Sequence, residues 1–332
     1  MNTRVPRDEL ENRMKRFRVQ MDTIHPDWEI ATVFGKVNLY YFCGTIQDGM
    51  LLIPRDGEAC LWVKRSYERA MDESLFPQIK PMRSYRDAAQ SIPSIPDTVY
   101  LETEQVPLAL FSRLRKHFPF KYVRAVDKQI LQIRSVKSPY ERGLMERAGE
   151  IHRIVLEELV PGALTEGISE AEFTNELYRL MMEEGHHGIV RFGMSESDIM
   201  LGLVGFGESS IYPTYLDSPG GNAGLSPAVP LLGSRDRKLH DGDLVFVDIG
   251  CGFHGYHTDK TMTYVFGRSL PEEVVEIHRR CVQIQDTVAS HLKPGAIPSQ
   301  IYESIMAELE PSFLDNFMGY GNRKVQFLGH GI

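Results

Sequence analysis

Three side chains in the second half of the chain, Asp248, Asp259 and His330, are of the kinds that hold a divalent cation. The aspartates stand eleven positions apart, in Val247-Asp248-Ile249-Gly250 and Thr258-Asp259-Lys260-Thr261, with the stretch Cys251-Gly252-Phe253-His254-Gly255 between them. A carboxylate inside an apolar strand is costly unless an opposite charge or a metal compensates it. Two such strands joined by a glycine-rich loop predict a hairpin with a cation between the two carboxylates. Strand alternation puts Leu244, Phe246 and Asp248 on one face, and Asp259, Thr261 and Thr263 on one face of the second strand. The other faces (Val245, Val247, Ile249; Met262, Tyr264, Phe266) are apolar, which predicts two strands buried on both sides. His330 lies between Gly329 and Gly331, and glycines let the backbone bring an imidazole close to such a site.

Blander roles compete for each of these residues. An aspartate at a strand end often caps a turn, and a single histidine between glycines is often a turn residue. The two aspartates together, with Thr261 beside them, favour the cation; oxygen donors with one imidazole suit Mn, Co, Zn or Fe. His186-His187 follows Gly185 at a helix stop, where a polar side chain satisfies free carbonyls; contact with a substrate is the alternative role for both. His254 and His257 lie in the loop region and are expected to face solvent. Gly220-Gly221-Asn222-Ala223-Gly224 looks like a phosphate loop, but lacks a strand-to-helix context and a following lysine.

The elements that must position these residues are mixed α/β. Glu29–Gly35 and Asn38–Gly44 read as short buried strands, and Met50–Ile53 with Ala59–Val63 as a hairpin around Pro54-Arg55-Asp56-Gly57. Thr98–Leu101 is a further strand, followed by a helix near Pro107–His117 with Leu108, Phe111 and Leu114 on one face. A boundary falls at Arg134-Ser135-Val136-Lys137-Ser138-Pro139, giving domains 1–134 and 135–332. Ser138, Pro139 and Glu141 fit a helix start, and Ser169 with Glu172 forms a second capping box before Phe173, Leu177, Leu180 and Met181. Loops and short strands are expected from Arg191 to Pro230. Helices are expected over 271–292 and 299–309.

A chain of 332 residues accommodates two cores. The net charge of −8, from 37 basic and 45 acidic residues, argues against nucleic acid as a partner. No apolar run approaches a membrane span, and the N-terminus lacks the apolar core of a signal peptide. Cys43, Cys60, Cys251 and Cys281 are scattered without metal or redox spacing, which predicts reduced thiols and a cytoplasmic protein.

Together these stretches resemble the creatinase/aminopeptidase P branch of the M24 metallopeptidases, with its pita-bread fold. Asn38-Leu39-Tyr40-Tyr41-Phe42-Cys43-Gly44 and the hairpin around Asp56-Gly57 are similar to the creatinase-type N-terminal domain. Arg134 to Ala148 is similar to the entry into the catalytic domain, and Gly242 to Gly267 to the segment carrying the first two metal aspartates. Gly329-His330-Gly331-Ile332 is similar to the metal-binding histidine motif. The resemblance implies an Xaa-Pro aminopeptidase or dipeptidase with two divalent metal ions. Asp248 would hold one, Asp259 would bridge both and His330 would hold the second, and an activated water would attack the amide. It implies a small peptide substrate and a homodimer. A metal-free creatinase-type amidine or amide hydrolase, or a non-catalytic pita-bread binding protein, are the alternatives. Two departures are notable. The family's two glutamate ligands lie beyond its Gly-His-Gly motif, so this chain is expected to be C-terminally truncated and a poor catalyst. Pro227 also stands where many relatives carry a substrate-facing histidine, which makes His186, His187 and His240 candidates for that contact.

Overall fold

The computed structural model describes residues 4–191, 198–216 and 218–331. They form two compact units, Met1–Tyr140 and Glu141–Ile332.

In the first unit six strands form one sheet in the order β4-β3-β2-β1-β5-β6. They are β1 (Ile30–Val33), β2 (Gly49–Pro54), β3 (Cys60–Val63), β4 (Ile79–Pro81), β5 (Thr98–Leu101) and β6 (Tyr122–Ala125). The expected β2–β3 hairpin is antiparallel, with Met50 opposite Trp62. Alternation along the strands builds two cores. Ala31, Val33, Leu51, Ile53, Leu61 and Val63 meet Leu10, Phe17 and Met21 of the helix Arg7–Ile24 on one side. Ile30, Met50, Leu52, Trp62, Val99 and Leu101 meet Leu114, Phe118 and Phe120 on the other.

Two expectations fail in this unit. The segment read as a strand over Asn38–Gly44 is instead the helix Lys36–Cys43. Its valine, tyrosine and phenylalanine favour strands, but tertiary contacts decide the outcome. The Glu102 carboxylate accepts from the backbone N–H of Phe34, from Gly35 N–H at 2.8 Å and from Asn38 Nδ2 at 2.5 Å. That places a negative charge at the helix N-terminus, where the free N–H groups and the dipole favour it. Gly44, at φ 71°, then ends the helix in the left-handed conformation that glycine adopts freely. The second failure is Leu108, which is 82% exposed while Leu114 is buried, so the helix Leu108–Arg115 packs through a narrower stripe than its sequence suggested.

The second unit is built on a helical run from Pro139 to Ala163, with a π-helical turn at Ile154–Leu159 in it, and on the helix Glu170–Glu184. The expected capping box is present: Ser169 Oγ accepts from Glu172 N, and Ser169 N donates to the Glu172 carboxylate at 2.8 Å. The helix buries Phe173, Leu177, Leu180 and Met181 and closes at Gly185, φ 113°. Short strands β7 (Val190–Arg191) and β8 (Asp198–Ile199) pair with each other, and β9 (Gly202–Phe206) joins β10 (Leu244–Phe253) and β11 (Tyr256–Val265) in the order β11-β10-β9. Of the loop-rich stretch expected over 191–230, residues 192–197 and 217 lie outside the described residues. Beyond the hairpin come the helices Glu272–His291, Pro298–Ala307 and Pro311–Leu314, then β12 (Gly319–Tyr320) and β13 (Arg323–Lys324).

The expectation that both hairpin strands are buried on both sides holds only in part. Val245, Val247, Ile249 and Cys251 of β10 are buried against Ala148, Ile151, Leu156 and Leu177. β11 is an edge strand, and Asp259, Thr261 and Thr263 are exposed. Its other face is fastened through polar groups: Tyr264 Oη donates to Leu156 O at 2.6 Å, Lys260 Nζ to Glu157 at 2.6 Å, and Thr258 Oγ1 lies 2.9 Å from His152 Nδ1. Among the described residues no helix is long and apolar enough to cross a membrane.

Candidate metal centre

The register of the hairpin brings the two aspartates onto one face. Asp248 is opposite Thr261, Gly250 opposite Asp259, and Gly252 opposite His257. Side chains at i and i+2 share a face, so Asp248, Asp259 and His257 all project from the same side of the ladder. Neither aspartate stands at a strand end, which removes the turn-capping role considered for them.

Asp248 is held by two hydroxyls. Thr261 Oγ1 donates to its Oδ1 at 2.6 Å, and Ser218 Oγ to its Oδ2 at 3.1 Å. His330 Nε2 lies 3.2 Å from Asp259 Oδ2, their side chains 56% and 40% exposed. The Asp259 pKa is pushed up to about 6, first by partial desolvation and then by the negative charge of Asp248, with His330 acting in the opposite sense. A carboxylate whose charge is disfavoured by burial and by a neighbouring carboxylate is the kind of donor a cation relieves. Asp259 is thus the shared member of two pairs, one with Asp248 and one with His330. Among the described residues no three His, Cys, Asp or Glu side chains converge closely enough to hold one ion. In donor type the set fits a divalent cation, as two linked pairs and not as a closed cage.

Next to Asp259 on the same face lies a pair of histidines. A side chain on Gly252 would fall on the His187 ring, and one on Gly250 on Val190, so both glycines make room for the segment that covers this end of the hairpin. His187 Nδ1 accepts from Gly255 N–H at 3.1 Å, which leaves the proton of the neutral ring on Nε2. That Nε2 lies 3.0 Å from Ile189 O and 3.3 Å from His257 Nε2. Burial holds both rings neutral, with the pKa of each lowered to about 4; His186 lowers His187 further, and His187 lowers His257. His257 is therefore half-buried against His187, contrary to the solvent-facing position expected for it.

The other histidine expectations separate cleanly. His186 is only 2% exposed, and its Nδ1 accepts from Gly252 N–H at 2.9 Å; the ring is a core element and is not open to a substrate. His240 is exposed in the turn before β10, at the far end of that strand from Gly252. Pro227 sits at the tip of a tight turn in which Ser226 and Val229 exchange backbone hydrogen bonds, a position that suits proline's fixed φ. Sequence reasoning missed two residues. His257 was readable, because it precedes Asp259 by two in a strand and must share its face. Ser218 was not, since a contact across 30 positions from a loop leaves no periodic trace.

Residues 143–332 match the metallopeptidase family M24, and residues 13–136 match the creatinase/prolidase N-terminal domain. The chain belongs to the metallopeptidase family M24, with a creatinase-type α/β domain followed by a pita-bread domain. It is 26% identical over 299 residues to an Xaa-Pro dipeptidase of Pyrococcus furiosus, covering 89% of this chain and 75% of that one. It is 25% identical over 312 residues to an uncharacterised peptidase of Staphylococcus aureus, covering 92% and 79%. Among solved structures, the prolidase from Pyrococcus horikoshii superposes with a TM-score of 0.71 at 23% identity, over 90% of this chain and 78% of that one. A dipeptidase from Mycobacterium ulcerans gives 0.71 at 20% identity, over 99% and 86%. These structural likenesses establish the fold.

Proposed function

We propose that the chain is a metal-dependent Xaa-Pro dipeptidase or aminopeptidase that cleaves the amide bond before proline in small peptides. Membership of family M24 and the similarity to a protein named Xaa-Pro dipeptidase support the reaction class. The observation that carries the reading is the placement of Asp259 between Asp248 and His330 on one open face of the hairpin.

In this reading Asp248, Asp259 and His330 would hold divalent cations of the Mn, Co, Zn or Fe kind. When bound, such cations polarise a carbonyl and acidify water. The remaining steps belong to the protein. Thr261 and Ser218 keep Asp248 from rotating, and the Asp259 carboxylate, with its raised pKa, is the group most in need of a positive partner. His187 and His257 lie next to Asp259 and would flank a bound peptide there, while burial takes His186 out of that role. Both ring nitrogens of His187 are engaged within the protein, so it would act by shape and as a neutral neighbour that places no competing positive charge beside the cations. The cytoplasmic assignment is supported by four cysteines that are all free thiols.

The test is release of free proline from Ala-Pro by the purified chain in Mn²⁺. Turnover should vanish with a chelator and in Asp248→Asn and Asp259→Asn. Equal cleavage of Ala-Ala, or turnover that survives exhaustive chelation, would count against the assignment.

A further inference from the structure

The glycine-rich stretch Gly220-Gly221-Asn222-Ala223-Gly224 has no phosphate-loop context, yet two of its glycines are required by close approach. A side chain on Gly220 would run into the ring of Phe246, and one on Gly221 into the backbone carbonyl of Tyr212. Phe246 lies on the same face of β10 as Asp248, one rung earlier in the ladder. Gly221 N–H donates to Ser210 O at 2.7 Å, pinning the loop from the other side. The loop can therefore lie flat on the carboxylate face only because it is glycine there. Lying flat, it delivers Ser218 Oγ to Asp248 Oδ2 at 3.1 Å.

We propose that this loop is a positioning device for Asp248, with Ser218 as the residue through which it acts. The proposal rests on the reading of Asp248 as a cation ligand. A carboxylate offers about four lone-pair sites over its two oxygens. Thr261 occupies one on Oδ1 and Ser218 one on Oδ2, so the plane of the carboxylate is fixed from both sides and each oxygen keeps a lone pair for a cation. Without Ser218, Oδ2 is free to turn about the Cβ–Cγ bond, and cation binding has to order it. Loss of such an outer hydrogen bond to a ligating side chain typically lowers metal affinity by about 10–100-fold. Ser218 is a positioning residue and touches no reacting atom.

The experiment is calorimetric titration of the full chain with Mn²⁺ alone, in wild type, Ser218→Ala, Ser218→Thr and Asp248→Asn, with the thermal midpoint of each measured in chelator. The expected result is a loss of affinity of about 10–100-fold in Ser218→Ala, wild-type-like affinity in Ser218→Thr, which keeps the hydroxyl, and midpoints in chelator that are unchanged in both Ser218 variants. Loss of Mn²⁺ binding in Asp248→Asn with wild-type affinity in Ser218→Ala would overturn the positioning role alone. Wild-type affinity in Asp248→Asn, or no Mn²⁺ binding by the wild type, would overturn the ligand reading and the positioning role with it. A lowered midpoint in chelator for Ser218→Ala that Ser218→Thr does not share would assign the hydroxyl to folding and also overturn the proposal.

Discussion

The face of the hairpin is set by single residues whose size or charge leaves little choice. Gly250 and Gly252 are bare because Val190 and His187 occupy the space their side chains would need. Gly250→Ala should destabilise the chain by about 1–3 kcal/mol, the usual cost of forcing a methyl group into a packed site, read from chemical denaturation. Asp259 behaves in the opposite way. Its folded pKa is raised from 3.8 to about 6, so the folded state binds its proton more tightly than the unfolded chain does. That contribution is fully present below the unfolded pKa and is lost as pH rises through about 6. In chelator, Asp259→Asn should therefore raise the thermal midpoint at pH 7–8 and leave it near wild type at pH 3–4; a lower midpoint at pH 8 would contradict the burial and the Asp248 charge held to raise its pKa. Much at this scale was readable in the sequence. Asp248, Asp259 and His330 stand out by residue type, and alternation puts the aspartates on one face. Whether His186 or His187 faces the site was not readable, because neighbouring residues after a helix stop point in directions that only packing decides.

The elements obey local rules where the signal is local. Ser169 with Glu172 caps the helix Glu170–Glu184 as its spacing requires. Ser169→Ala should cost about 1 kcal/mol of stability, while a substitution at the exposed Glu183 should cost far less. The hairpin β10–β11 is a different kind of element, because polar groups and histidines fasten it to the helices. His152, His187 and His257 are held neutral by burial, each with its pKa lowered from 6.5 to about 4. Between those values the unfolded chain binds more protons than the folded one. Stability is thus present above pH 6.5 and lost as pH falls through about 4. Thermal midpoints in chelator should drop steeply over that window. His152→Gln should flatten the drop, and an unchanged slope would show that the ring does not titrate with unfolding. The helix Lys36–Cys43 marks where sequence reading ran out. Its residues favour a strand, and the carboxylate that caps its N-terminus is Glu102, just beyond the end of β5 and more than sixty positions away.

At the scale of the molecule, stability is unevenly distributed. β1 and β3 of the first unit and β9 of the second are buried throughout, and β10 buries one whole face, whereas the helix Glu272–His291 has no buried residue and exposes Ile277 and Val282. Apolar burial is the main source of protection against local opening. Amide hydrogens of that helix should exchange well before those of β1, β2 and β10, and equal protection would contradict the burial pattern. The mixed α/β class followed from the strand and helix signals. The open side of β11 did not follow, since an apolar alternation does not reveal whether anything covers the opposite face. The central claim is that this open face holds divalent cations between Asp248, Asp259 and His330. Its most direct test is elemental analysis of the chain equilibrated with Mn²⁺ and freed of unbound ion. Bound Mn²⁺ in the wild type and its loss in an Asp248→Asn, Asp259→Asn double variant that still folds is the predicted result; equal metal content in the two proteins would contradict it.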